Sequence, residues 1–286
     1  MSSELGKLFA NYQGDSVYSC VFEHFLEVVE DDEVRDFVDM ALSFSKKHLE
    51  QISMLFKHES IPIPTAFGEQ DVHRGAPRLF SDIFMVFYTR EMARAAFLAY
   101  GSALSTSYRQ DVVSYFEGCL QDSVQVYKKA TALLLSKGFD ITAPEIPYPA
   151  KVDFVEKESF ISIIAGKGRP LLGVEIKHLQ VNIYTNALGK ALMLAFSQVA
   201  SSEKLRQFFR EGSQLAGKQI TELSSFLQRD DLPSPRVLDD QVTDSTISPF
   251  SDKLLLSHAS IATATGITNY GPLCQRYCDM TFILNF

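Results

Sequence analysis

Apolar residues recur along most of the chain at spacings of three and four, the period that draws one stripe down an α-helix. Phe37, Ala41, Phe44, His48, Ile52 and Leu55 form such a stripe, and Val17, Val21, Phe25 and Val28 form another ahead of it. A third helix is predicted to begin near Phe80, with Ser81 or Asp82 as its cap. It runs through Phe84, Phe87, Ala95 and Leu98 to Gly101, a residue able to end a helix. A fourth carries Val112, Phe116, Leu120, Val124, Tyr127 and Leu134 and stops at Lys137-Gly138. The long connection, Ser60 to Pro77, falls between the second and third helices, and Pro62 and Pro64 hold it extended. An antiparallel four-helix bundle with one crossover has this arrangement.

The pattern then begins again. At an offset of 171, and without a gap for about sixty residues, Glu4, Leu8 and Asn11 fall on Glu175, Leu179 and Asn182. Phe25, Arg35, Phe37 and Lys47 fall on Phe196, Arg206, Phe208 and Lys218, and Ile61-Pro62-Ile63-Pro64 falls on Leu232-Pro233-Ser234-Pro235. One residue is then lost, and at an offset of 170 Phe80-Ser81-Asp82 falls on Phe250-Ser251-Asp252 and Tyr100-Gly101 on Tyr270-Gly271. The second copy of the stripe is Phe208, Gly212, Leu215, Gln219, Leu223 and Phe226. The fold class expected is therefore all-α, a tandem repeat of ferritin-like four-helix bundles. Residues 1–138 form the first bundle. Residues 139–171 are a linker punctuated by Pro144, Pro147, Pro149, Gly166, Gly168 and Pro170, and packed on the bundles through Val152, Phe154, Val155 and Phe160. Residues 172–286 form the second bundle. There a fourth helix should grow from Arg276 onward, yet the sequence closes at Phe286 in the apolar run Met280 to Phe286. That leaves an apolar groove, to be filled by a partner chain, covered by the linker, or explained by truncation; truncation is the favoured account.

Composition narrows the function classes. The formal charge is −8 and the pI about 5.3, without a long Lys/Arg run, which argues against a nucleic-acid binder. The first residues lack the basic and apolar pattern of a secretory signal, and no apolar run approaches the roughly 20 residues of a membrane span. A cytoplasmic protein is expected. Cys20, Cys119, Cys274 and Cys278 are scattered among helical patterns, and the separation of the last two is not that of a CxxC motif. They read as buried or unreactive thiols in a reducing compartment.

The stretch Pro149 to Ser201 contains Val152-Asp153-Phe154-Val155, Arg169-Pro170-Leu171, Glu175-Ile176 and Gly189-Lys190-Ala191-Leu192. Further on come Val242-Thr243-Asp244-Ser245-Thr246 and Pro249-Phe250-Ser251-Asp252-Lys253-Leu254. Together these phrases resemble a bacterial family catalogued as a domain of unknown function, number 3231, found in spore-forming bacteria. Some of its members carry the provisional name of spore coat protein. The resemblance runs from Glu4 to about Leu273 and implies a double ferritin-like bundle, a spore association and no established activity. The sequence departs from the family pattern after about Cys274, where members continue through a complete final helix.

Ferritin-like bundles often hold two iron or manganese ions, which need a Glu on each of two helices and a Glu-x-x-His pair on each of the others. That signature is absent: His48 is paired with Glu50 two residues away, and Glu117 is followed at the third position by Leu120. A weaker set remains. His48 lies on the second helix's buried stripe and Glu91 on the third's, while Glu23, His24 and Glu27 sit near the middle of the first helix. A degenerate iron or manganese site would use His48, Glu91 and one of those three. A core hydrogen bond or ion pair, or Glu91 turned toward Arg90 or Arg94, explains the same residues. The matching positions of the second copy are Gln219 and Ile261, neither a credible ligand. Glu175 and His178 form a Glu-x-x-His at the start of a helix, with His258 in the next helix but one, as a further metal candidate; an acid beside the helix dipole is the plainer account.

No phosphate loop or nucleophile turn is present: Gly166-Lys167-Gly168 lacks the required spacing. His73 and Arg74 are expected to be solvated, and Asp244-Ser245-Thr246 to turn the chain before a helix. No catalytic residue is expected, and an enzyme is disfavoured. The expected role is structural or protein-interacting, with protein partners or self-association. A metal-binding relic is the alternative, and an apolar ligand between the helices a third reading.

Overall fold

The computed structural model describes residues 2–139, 141–148, 150–151 and 170–276. Val152, Phe154, Val155, Phe160, Cys278 and the run Met280 to Phe286 lie outside the described residues, as does the side chain of Cys274. Among the described residues seven α-helices follow in order: α1 Ser2–Val28, α2 Asp32–His58, α3 Asp82–Leu104, α4 Gln110–Ser136, α5 Gly173–Val199, α6 Glu203–Arg229 and α7 Asp252–Arg276. No strand occurs among the described residues. The chain is all-helical.

The capping residues do what their chemistry allows. Asp31 accepts from the backbone N–H groups of Glu33 and Val34 at the start of α2, Ser81 from Phe84 on α3, and Ser202 from Leu205 on α6. Gly138, just past α4, has φ of 75°, a left-handed conformation that favours glycine. Gly101 does not end its helix as expected. α3 continues to Leu104 because Tyr100 and Ala103 are both buried against neighbours, and that packing carries the helix past the glycine. The buried seam of α4 is also rotated from the expected one. It runs Val112, Tyr115, Phe116, Cys119, Ser123, Val126, Ala130 and Leu134, leaving Val124 exposed.

α1 packs on α2, α3 on α4, and α5 on both α6 and α7; α2 also meets α3 and α4, and α1 meets α7. One hydrophobic core passes continuously through both halves, from Val17 and Phe25 to Leu254 and Ala259. A second, smaller core closes the far end of α1–α4 around Leu8, Ile52, Phe56 and Phe116.

The segments before α3 and α7 bind each other reciprocally. Antiparallel bridges join Val72 to Phe250 and Phe80 to Val242. Ser81 donates its backbone N–H to the Gln241 carbonyl (2.9 Å) and its hydroxyl to Gln241 Oε1 (2.6 Å). Ser251 makes the same two bonds to Asp71, at 3.0 and 2.7 Å. His73 N–H donates to the Pro249 carbonyl (2.8 Å), and Thr243 N–H to the Leu79 carbonyl (3.0 Å). Each bond in one direction has a mate in the other, with its residue numbers shifted by 170. His73 and Arg74 are therefore not simply solvated: the His73 ring also binds the Ser248 carbonyl, and Arg74 pairs with Glu27 and Glu23.

Candidate functional site

Each half contains a central cavity, and the two are lined by matching positions. In the first half all four helices contribute. α1 supplies Asp15, α2 supplies His48, α3 supplies Tyr100, and α4 supplies Asp122 and Ser123 around about 70 Å³ of space. His48 Nε2 lies 3.1 Å from Asp122 Oδ2, and His48 Nδ1 lies 3.4 Å from Asp15 Oδ2. Lys47 holds Asp122 from the other side at 2.6 Å, and Asn11 donates to Asp15 at 3.1 Å. The rings of Tyr100 and Tyr115 stand edge-on to the imidazole, with centroids 6.3 and 6.2 Å away. Burial works against charge on His48, but the Asp15 carboxylate, with Cys119 assisting, holds its pKa up at about 11. Burial pushes the Asp15 carboxyl upward, and its hydrogen bonds to His48, Ser45 and Asn11 oppose that rise. The result is an imidazolium on α2 held between an acid of α1 and an acid of α4.

In the second half Asn186, Gln219 and Tyr270 occupy the counterpart positions of Asp15, His48 and Tyr100. They form a neutral chain: Asn186 donates to the Tyr270 hydroxyl at 2.7 Å, and that hydroxyl donates to Gln219 Oε1 at 3.1 Å. The cavity beside them is about 350 Å³. It is larger partly because Gly189, Gly212 and Gly266 stand where the first half has Tyr18, Ala41 and Ala96. It is also larger because Asp122, Ser123 and Val126 of α4 close the smaller cavity, whereas the larger is lined by α3, α5, α6 and α7.

The remaining sequence candidates are dispersed. Glu91 is buried, but it binds Arg90 at 2.6 Å and Arg94 at 2.8 Å at the wall of the larger cavity, away from His48. Arg90 continues to Tyr127 and Thr131 on α4, and Arg94 to Thr185 on α5. Glu91 thus anchors a network that joins α3, α4 and α5 and reaches Asn269 on α7 through Arg94. Glu23 pairs with Lys46 at 3.0 Å, and Glu27 with Arg74. His24 is 1% exposed, edge-on to Phe250, and neither ring nitrogen has a hydrogen-bond partner among the described residues; burial lowers its pKa to about 4. His258 Nε2 meets the Tyr88 hydroxyl at 2.7 Å, and burial lowers its pKa to about 4 as well. Glu175 accepts the Leu172 N–H at 2.8 Å, closing the start of α5. His178 is one turn further on. Phe196, which His258 touches, lies about twenty residues along the same helix from Glu175, roughly 30 Å at 1.5 Å per residue. Those residues do not share a site. Among the described residues no group of three or more His, Cys, Asp or Glu side chains is placed to hold a metal ion.

Sequence reasoning missed Asp15 and Asp122. A signal for Asp15 was present: Leu8, Tyr12, Asp15, Ser19 and Phe22 follow one another at spacings of four and three, and all are buried. A charged residue in register with an apolar stripe calls for a buried partner.

The model of a family described as protein of unknown function (DUF3231) matches residues 1–152 and 159–276. The chain belongs to that family. No curated protein matches it. A crystal structure at 1.54 Å of a protein from Bacillus halodurans C-125, provisionally named a spore coat protein, is 19% identical with a TM-score of 0.45. The match covers 54% of this chain and 96% of that one. None of the helices among the described residues is long and apolar enough to cross a membrane.

Proposed function

We propose that this member of the family is a pair of ferritin-like bundles, residues 1–138 and 172–286 joined by 139–171, with a structural and protein-interacting role. The reciprocal bonds between the segments before α3 and α7 support the duplication, because they relate the halves as a two-fold axis would. The Tyr88–His258 contact supports it too, since those positions are each other's counterparts. The observation that carries the role is how the acids are spent. Asp122, Glu91, Glu23 and Glu27 each face a lysine or arginine, and Asp15 faces the His48 imidazolium. Such pairs hold the helices to one another, and each of these five acids already faces a cationic side chain. The setting proposed is the interior or coat of a spore-forming cell, as names within the family suggest.

A degenerate iron or manganese site is the second reading, favoured by His48 standing between acids from two other helices beside a cavity. Elemental analysis of the full chain, purified from cells supplied with iron and manganese, separates the two. The structural role predicts no stoichiometric metal and a loss of stability in His48→Ala. Stoichiometric iron, manganese or zinc that disappears in His48→Ala would replace it with the metal reading.

A further inference from the structure

Helices α1–α4 meet α5–α7 along a junction of packed aromatic rings, and two histidines sit in it. His24 of α1 stands edge-on to Phe250, with ring centroids 5.4 Å apart. His258 of α7 lies against Tyr88 of α3 and Phe196 of α5, at 5.4 and 5.5 Å. Both histidines are buried. Among the described residues neither nitrogen of His24 has a hydrogen-bond partner, and Nδ1 of His258 has none. An imidazolium carries two N–H donors and needs an acceptor for each. His24 has no such acceptor, and the Tyr88 hydroxyl serves one nitrogen of His258 only. Neither ring belongs to a group of three or more metal-binding side chains among the described residues.

The charged groups around the two rings do not offset a proton. Glu27, one turn along α1, is the acid that acts on His24, and it is paired with Arg74. Glu23 is held by Lys46 of α2 and by Arg74, Asp71 by Ser251, and Lys253 of α7 lies over the Phe67 ring. Around His258 the titratable neighbour is the Tyr88 hydroxyl on α3, α5 presents Phe196, and burial alone moves the ring's pKa. His73 also joins the two groups of helices, but its Nδ1 donates to the Ser248 carbonyl at 2.9 Å, a bond that the neutral and the charged ring both make. Away from the junction, His48 already carries its proton between Asp15 and Asp122. We propose that the junction between α1–α4 and α5–α7 is an acid-sensitive switch, in which protonation of His24 and His258 parts the two groups while each keeps its own helices packed. The two groups are defined by their contacts, whatever their ancestry. Opening hydrates both rings. With pKa values of about 4 when closed and about 6.5 when hydrated, each ring favours the open form by up to about thirtyfold at pH 5 relative to pH 7.5. At pH 5 the carboxylates held below their usual range, Glu27, Asp31, Glu59, Asp111 and Glu203, are still ionised, so their pairs survive.

The test is amide hydrogen exchange of the full chain at pH 7.5 and pH 5, corrected for the intrinsic exchange rate at each pH. The N–H groups of His73, Ser81, Thr243 and Ser251 report opening, because each donates across the junction. Their opening constant should rise on the order of 10³-fold when both rings titrate, against less than about tenfold for amides in the middle of α2 and α6. His24→Leu removes a ring that makes no hydrogen bond, and His258→Gln keeps a partner for Tyr88. Each should take about thirtyfold from the rise, and the double variant nearly all of it. Circular dichroism at pH 7.5 confirms that each variant is folded, and the single variants carry the test if the double one is not. Small-angle scattering of the parent at pH 5 should show a larger radius of gyration with its helical signal intact. The proposal is overturned if the four junction amides rise no more than those of α2 and α6, or if the variants keep the parent's rise. It is also overturned if helical signal is lost at pH 5 together with the junction. None of these readouts depends on metal content or on His48, so failure here and failure of the structural role are seen separately.

Discussion

Replacing His48 with glutamine installs the residue that the counterpart position already carries, and its cost can be worked from the contacts. The imidazolium sits between Asp15 and Asp122. Asp122 keeps Lys47 at 2.6 Å when the ring is removed, whereas Asp15, 5% exposed, keeps only the neutral Asn11 and Ser45. Removing one partner of a buried pair costs about 3–5 kcal/mol. Asp15 can take up a proton, which burial already favours, so a loss of about 3 kcal/mol is expected. Asp15→Asn alone leaves His48 with Asp122 at 3.1 Å and should cost about 1–2 kcal/mol. The double variant reproduces the neutral arrangement of Asn186, Tyr270 and Gln219, so its cost should fall below the sum by about 2 kcal/mol. Urea unfolding of all four proteins at pH 7, followed by circular dichroism, closes the cycle. A His48→Gln loss under about 1 kcal/mol, or strict additivity, would refute the buried-pair argument.

Three further outcomes are expected. His24 and His258 have folded pKa values of about 4 against about 6.5 when unfolded, so the unfolded chain binds more protons between those values. Stability should fall as pH drops from about 6.5 to about 4, by up to about 3 kcal/mol for each ring. A His24→Leu, His258→Leu double variant that keeps the parent's acid slope of melting temperature would contradict this. His48 runs the other way: its raised pKa gives stability that is complete below about 6.5 and lost as pH climbs through about 11. His48→Gln should flatten that alkaline loss in melting curves. Glu91→Gln leaves Arg90 and Arg94 without their shared acid and should cost about 3 kcal/mol or more by urea titration; a change near zero would show that the network is held by its outer hydroxyls alone.

Particular residues show how far sequence reasoning reached. Helix positions were legible because Phe37, Ala41, His48 and Ile52 are buried in the register that their spacing predicts. His48 and Glu91 were correctly singled out as inward, since both are under 6% exposed. Their partners were not legible: helical spacing gives a face but not which face of another helix it meets. Glu91 was expected beside His48, yet it faces the second half through Arg94 and Thr185. The rotation of the α4 seam has the same origin, because Leu120 and Val124 continue an apolar pattern as well as Cys119 and Ser123 do once polar core partners are allowed.

By itself the sequence determined the all-helical class, a cap at the start of α3, which is Ser81, and the recurrence of one pattern at offsets of 171 and 170. These follow from local rules, in which period, capping oxygen and proline act within a few residues of themselves. Only the tertiary structure decided that His48 lies between two acids, that the segments before α3 and α7 bond reciprocally, and that one central cavity is about 70 Å³ and the other about 350 Å³. Those features depend on distances between residues far apart in sequence, which helix packing sets and local periodicity does not encode.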